Sequence, residues 1–262
     1  MNVQQELIEI VASAAKQLGI DIMLIGAFAR DYWSGKFSLQ GNTRTTYDVD
    51  FSCQVVAWDE FEKLFELLKS EYGLLPDAKK NHSLWLRDEI SLDLVPCGGI
   101  ADNSGMISWP PNYETTLCVR GYDVAKQDAE IVVFGTHSVK VVKPYWLALL
   151  KLQSFVGNPD DRDRDLQDLY FLICNYCECI DLEKRLYSAD GVDHDLLEVE
   201  NFDFELAGVP LICRDCRRFD AETTDKIIAF IHDFDQMRLI KSLSNAAKID
   251  YATAKQIIAA FV

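Results

Sequence analysis

The stretch RTTYDVDFSC, residues 44–53, sets two aspartates one residue apart inside a run that is otherwise β-forming. On a strand, alternation sends Asp48 and Asp50 to one face and Val49 and Phe51 to the other. Two carboxylates on one half-buried face repel each other and resist desolvation. Such a stretch requires a compensating positive charge from elsewhere.

Two flanking features bear on that requirement. Upstream, LIGAFARD (24–31) reads as a strand ending at Gly26 and running straight into a helix. Glycine permits close approach of a phosphate to the backbone, and a helix N-terminus offers free N–H groups and a favourable dipole. Downstream, ISLDLVPC (90–97) places a third carboxylate, Asp93, in an apolar strand between Leu92 and Leu94. If that strand lies beside the first, three carboxylates converge. Divalent Mg²⁺ or Mn²⁺, which prefer hard oxygen ligands, would then supply the missing charge. The competing reading is a solvent face or a set of salt bridges, with Arg30, Arg44 and Arg87 as available partners.

Composition narrows the class. The chain has 262 residues, 49% hydrophobic and 26% charged, ordinary for a globular protein with a substantial core. No apolar run approaches the roughly 18–20 residues of a membrane span, so no membrane partner is expected. The start, MNVQQELIEI, lacks a secretory profile, and the expected location is cytoplasmic. A net charge of −16 argues against a broad nucleic-acid-binding face. Eight cysteines without an export signal read as reduced thiols.

Periodicity divides the chain near Lys143–Pro144. Before it, helices are predicted at 3–18, 27–35 and 58–73, with strands at 21–26, 47–56, 83–88, 90–97, 116–122, 130–134 and 137–142. The strands at 83–88 and 90–97 form a hairpin around a tight Asp88–Glu89 connection. After the divide, helices are expected over 145–156, 162–178, 206–218, 222–233 and 252–261, with an acidic, poorly periodic segment at 188–205. The fold class is therefore α+β: a mixed sheet with flanking helices, followed by a helical C-terminal domain.

The ordered series LIGAFARD, RTTYDVDF, LDLVPCGGI, GMISWPPNYE, VRGYDVAKQDAEIVVFG, VKPYWLALLKLQSF and DDRDRDLQDLY resembles the polymerase-β-type nucleotidyltransferase superfamily. Within it, the chain is most similar to the AbiEii/AbiGii-type nucleotidyltransferase toxin-like family, over roughly residues 5–175. The resemblance implies a nucleotidyltransferase-like catalytic domain at 1–143 and a helical domain at 144–262 that completes the cleft. It implies that Asp48 and Asp50 ligate metal and that Asp93 is the third carboxylate, helping to ionise an acceptor hydroxyl. Gly26, Ala27, Arg30 and Arg44 would serve the triphosphate, and so would Lys151. Asp165 and Asp168, three apart on the next helix, would support Lys151 or Arg30, or face the acceptor. Ala27 stands where many members carry glycine or serine, and Arg164 where lysine is usual.

The reaction implied is transfer of NMP from an NTP to an acceptor hydroxyl, with pyrophosphate released. The acceptor is RNA such as a tRNA 3′ end, a small molecule of aminoglycoside type, or a protein. A toxin–antitoxin role would add a cognate antitoxin as partner. The alternatives are a catalytically silent nucleotide-binding or regulatory module of the same fold, and a zinc-stapled interaction protein. The zinc reading rests on two C-x-x-C units, Cys174/Cys177 and Cys213/Cys216, which equally read as small residues packed on helices. Trp109-Pro110-Pro111 either roofs a nucleobase or plugs a loop.

Overall fold

The computed structural model describes residues 3–41, 46–111, 113–188, 191–198 and 206–261. The chain divides into two units: Met1–Asp31 with Arg44–Lys143, and Tyr32–Thr43 with Pro144–Val262.

The first unit is built on a seven-stranded mixed sheet. Its elements run α1 (Val3–Leu18), β1 (Asp21–Ile25), α2 (Gly26–Phe37, whose residues from Tyr32 onward group with the second unit), β2 (Asp48–Val55) and α3 (Trp58–Ser70). They continue with β3 (Leu75–Pro76), β4 (Ser83–Leu86), β5 (Ile90–Gly98), β6 (Met106–Ser108), β7 (Thr116–Cys118), α4 (Tyr122–Gln127), β8 (Glu130–Phe134) and β9 (His137–Val141). The strand order is β3-β4-β5-β2-β1-β9-β8, and β6 and β7 form a separate antiparallel ribbon. β2 lies between β1, antiparallel, and β5, parallel.

Alternation explains the layering. Val49, Phe51, Cys53 and Val55 of β2 are buried, as are Leu92 and Leu94 of β5. Leu7, Val11, Ala14 and Ala15 of α1, and Phe61, Leu64 and Leu68 of α3, are the buried stripes of two amphipathic helices that pack on each other. The other face of β2 carries Asp48 and Asp50.

The second unit is helical: α5 (Pro144–Gly157), α6 (Asp163–Asn175), α7 (Leu182–Tyr187), α8 (Gly208–Phe219), α9 (Ala221–His232), α10 (Gln236–Ala247) and α11 (Tyr251–Phe261). α5 is buried on nearly every side, from Trp146 through Phe155, as a helix apolar all round must be. No helix among the described residues is long and apolar enough to cross a membrane.

The main elements stand where periodicity puts them, with instructive departures. The strand expected at 116–122 stops at Cys118, and Gly121 in a left-handed conformation leads into the helical Tyr122. α6 ends at Asn175 and tightens into a 3₁₀ turn over Tyr176–Cys179. α10 is absent from the expectation, although Asp235 caps it and Leu239, Ile240 and Leu243 form its buried face. Within the acidic stretch, residues 189–190 and 199–205 lie outside the described residues, whereas His194–Glu198 forms a 3₁₀ turn.

Candidate active site

Strand register assembles the site in the first unit. β1 ends at Ile25, whose partner on β2 is Asp50. Asp50 is in turn the register partner of Asp93 on β5, and Asp48 that of Ser91. Asp48, Asp50 and Asp93 therefore share one sheet face, with Asp50 and Asp93 on adjacent parallel strands. Gly26 follows at the strand-to-helix junction with φ +68°, and a Cβ built there would lie 1.9 Å from Asp50 Oδ2. Both the left-handed backbone and the carboxylate thus require glycine. Ala27 is buried in the first turn of α2.

Each carboxylate is held differently. Asp48 Oδ1 accepts the Thr46 hydroxyl at 2.8 Å. Asp93 Oδ1 accepts the hydroxyl of Ser83 at 2.5 Å, and its Oδ2 lies 3.3 Å from the Lys80 ammonium. Among the described residues, no three His, Cys, Asp or Glu side chains gather at metal-ligand spacing. Strand geometry sets Asp48 a full two-residue repeat, about 6.5–7 Å, from Asp50, and Thr46 engages one of its oxygens. The donor chemistry still suits a hard divalent cation. Mg²⁺ is commonly held by one or two carboxylates, with phosphate oxygens and water completing the shell rather than an all-protein cage. Asp50 and Asp93 supply such a pair, and Gly26 lets the backbone pass directly against the Asp50 carboxylate.

Ser83 and Lys80 are not among the candidates read from the sequence, and for Ser83 the reason is hairpin register. A two-residue connection at Asp88–Glu89 would pair Arg87 with Ile90 and put Ser83 opposite Leu94. In the fold, Arg87 and Asp88 both take positive φ, and the Glu89 N–H returns to the Leu86 carbonyl at 3.0 Å. Leu86 then pairs with Ile90, and Ser83 with Asp93. A one-residue slip flips every side chain to the other face, so loop length decided the partner.

The remaining candidates are placed as follows. Arg30 is 1% exposed and its Nε donates to Asp31 Oδ1 at 2.8 Å. Arg44 lies outside the described residues. Arg87 pairs with Glu6 at the far end of the β4–β5 hairpin. Trp109 is buried against Trp58 and His82, with ring centroids 5.5 and 5.4 Å away, and lines a cleft with Phe61 and Phe65.

In the second unit, Lys151 on α5 is buried and clamped by two carboxylates of α6. Its Nζ lies 2.7 Å from Asp165 Oδ1 and 2.9 Å from Asp168 Oδ2. The three-residue spacing of the aspartates sets both on one helix face, where a single ammonium reaches them. Asp165 Oδ2 is buried without a hydrogen-bond partner, with Arg162 Nη1 at 3.9 Å.

The cysteine pairs are spread over different environments. Cys174 is exposed at the end of α6, Cys177 is partly exposed, and Cys213 and Cys216 are buried on α8. Burial pushes the Cys213 thiol up to about 12, and the Cys216 thiol donates to the Tyr145 carbonyl at 3.6 Å.

No family model and no curated protein sequence matches the chain. Among solved structures it is similar to the antibiotic-resistance factor ANT(2'')-Ia, described in complex with adenylyl-2''-tobramycin. That match has 18% identity and a TM-score of 0.42, over 70% of this chain and 92% of that one. It is also similar to an antigenic nucleotidyltransferase-like protein from Paracoccidioides brasiliensis, at 17% identity and a TM-score of 0.41, over 85% and 91% of the two chains. A tRNA-processing enzyme matches at 13% identity with a TM-score of 0.29, over 98% of this chain and 78% of that one.

Proposed function

We propose that the chain is a divalent-metal-dependent nucleotidyltransferase that moves an NMP from an NTP to an acceptor hydroxyl. The observation that carries the reading is the position of Asp50, between the Cβ-less Gly26 on one side and its register partner Asp93 on the other. The resemblance of the sequence motifs to polymerase-β-type nucleotidyltransferases points the same way.

In this reading Asp48, Asp50 and Asp93 provide the oxygens that hold Mg²⁺ or Mn²⁺. A cation bound there screens charge on the attacking and leaving oxygens of an in-line displacement. Gly26 and the free N–H groups of the first turn of α2 receive the phosphates. Asp93 faces the acceptor and holds its hydroxyl proton as the oxygen attacks. One bond forms, from acceptor oxygen to α-phosphorus, and one breaks, from α-phosphorus to the bridging oxygen of the departing pyrophosphate. Most of the rate enhancement then comes from positioning and fixed charge.

The acceptor is an RNA such as a tRNA 3′ end, a small molecule or a protein, and the acidic surface favours the latter two. In the toxin–antitoxin form of the reading, expression of the wild type arrests growth, Asp50→Asn does not, and a cognate antitoxin relieves the arrest.

The deciding experiment incubates the protein with each α-labelled NTP, Mg²⁺ and pools of RNA, aminoglycosides and proteins, alongside Asp48→Asn. Label transferred by the wild type alone supports the reading. Label transferred by neither protein in any combination supports the catalytically silent module instead.

A further inference from the structure

Asp93 is held from two sides, by the first residue of β4 and by the loop that precedes it. Ser83 is 1% exposed, faces Asp93 across the β4–β5 ladder, and donates its hydroxyl to Oδ1 at 2.5 Å. Lys80, three residues earlier, sets its ammonium 3.3 Å from Oδ2. The loop that carries Lys80 is itself tied down. Asp77 Oδ1 accepts the backbone N–H groups of Lys79 and Lys80 at 2.7 and 3.0 Å, and its Oδ2 accepts Trp85 Nε1 at 2.7 Å. The Ser83 N–H returns to the Lys80 carbonyl at 3.2 Å and the Asp77 N–H to the Ser83 carbonyl at 3.0 Å, closing the turn.

The two contacts differ in kind. A buried hydroxyl fixed by strand register is a permanent orienting group. A long, exposed lysine on a 3.3 Å ion pair is an exchangeable one, since exposed pairs are weak and easily displaced. Oδ2 is the oxygen that Ser83 leaves open, and Lys80 is the cation that occupies it.

We propose that Ser83 and Lys80 are positioning residues for Asp93. Ser83 locks the carboxylate by Oδ1, so that Oδ2 is presented to a cation. Lys80 is the resident counter-ion at Oδ2, and an incoming divalent cation displaces it. The loop Asp77–Ser83 thereby keeps Asp93 charge-balanced before metal arrives. This rests on the reading of Asp93 as a cation-facing carboxylate.

The test is Mn²⁺ binding, followed by the loss of the free-ion electron paramagnetic resonance signal, with and without an NTP. Four variants are compared with the wild type: Lys80→Ala, Lys80→Arg, Ser83→Ala and Asp93→Asn. Displacement requires Lys80→Ala to bind Mn²⁺ about 1.5- to 5-fold more tightly, the range an exposed ion pair supplies, and Lys80→Arg to stay near the wild type. Ser83→Ala should weaken binding, because an unlocked carboxylate samples other rotamers. Unchanged or weaker binding in Lys80→Ala, with Asp93→Asn still impaired, overturns the inference and leaves the proposed function standing. Unchanged binding in Asp93→Asn overturns the cation-facing reading of Asp93 itself. Far-UV circular dichroism confirms that the surface Lys80 variants are folded, so the sign of their shift decides the matter even if Ser83→Ala is unstable.

Discussion

Gly26 abuts Asp50 so closely that a Cβ added to the glycine would stand 1.9 Å from Asp50 Oδ2 and 2.5 Å from its Cγ. The contact couples a left-handed backbone position to the central carboxylate of the sheet face. Gly26→Ala is therefore expected to act twice. An alanine held at φ +68° costs about 1–2 kcal/mol, and the methyl group must displace Asp50 as well. Thermal denaturation should show a lowered midpoint, and Mn²⁺ binding should fall in parallel. A fully wild-type profile in both would mean that the junction relaxes freely.

Asp48→Asn and Asp50→Asn should separate activity from stability. Each keeps shape and hydrogen bonding while removing a charge from a face that already carries Asp93. Turnover should drop by on the order of 10³-fold or more, the several kcal/mol that metal-screened charge supplies. Urea denaturation should show stability unchanged within about 0.5 kcal/mol, or raised, because like-charge repulsion is relieved.

Lys151→Met should be far more damaging to stability than Asp165→Asn. Without the ammonium, the Asp165 and Asp168 side chains, 7% and 1% exposed, are left as a buried pair of like charges. Removing one partner of a buried ion pair typically costs about 3–5 kcal/mol. Asp165→Asn instead removes a carboxylate whose Oδ2 already lacks a hydrogen-bond partner, and the Lys151–Asp168 contact remains. Equilibrium unfolding of both variants tests the order.

Acid should weaken the helical unit through Asp193. Its side chain is fully buried and accepts hydrogen bonds from Arg218 and Arg185 at 2.6 Å each, and from Arg214 at 3.1 Å. Burial pushes its carboxyl upward, but Arg218 and Arg185 more than offset that, and the net shift is below the ordinary value of 3.8. A carboxyl depressed in the folded state contributes stability above its unfolded value, which is lost as pH falls through the folded one. Unfolding free energy attributable to Asp193 should therefore be constant at neutral pH and decline below about pH 4. Asp193→Asn should flatten that decline while lowering stability at pH 7, and denaturation series at several pH values would show it.

Much of the architecture was legible along the chain. Val49, Phe51, Cys53 and Val55 mark β2 as a strand with one buried face, because alternation is a property of the extended backbone itself. Leu7, Val11 and Ala14 mark α1 in the same way, at the helical repeat. The carboxylate face was legible too, since Asp48 and Asp50 interrupt an apolar alternation and Asp93 interrupts another. α10 was missed although its Asp235 cap and apolar stripe were present. Its polar and small residues, from Ser242 to Ala247, dilute the periodic signal.

What each charged side chain touches was decided by tertiary structure. Arg30 is buried and donates to its neighbour Asp31, and Lys151 is clamped between two aspartates fourteen and seventeen residues away. Ser83 meets Asp93 only because the hairpin spends one more residue in its turn than the shortest connection would. Local periodicity follows from the dihedral angles of a single segment and can be read from that segment. Partnership between segments depends on register, which one residue of loop length reverses, and no window of sequence contains both strands and their offset.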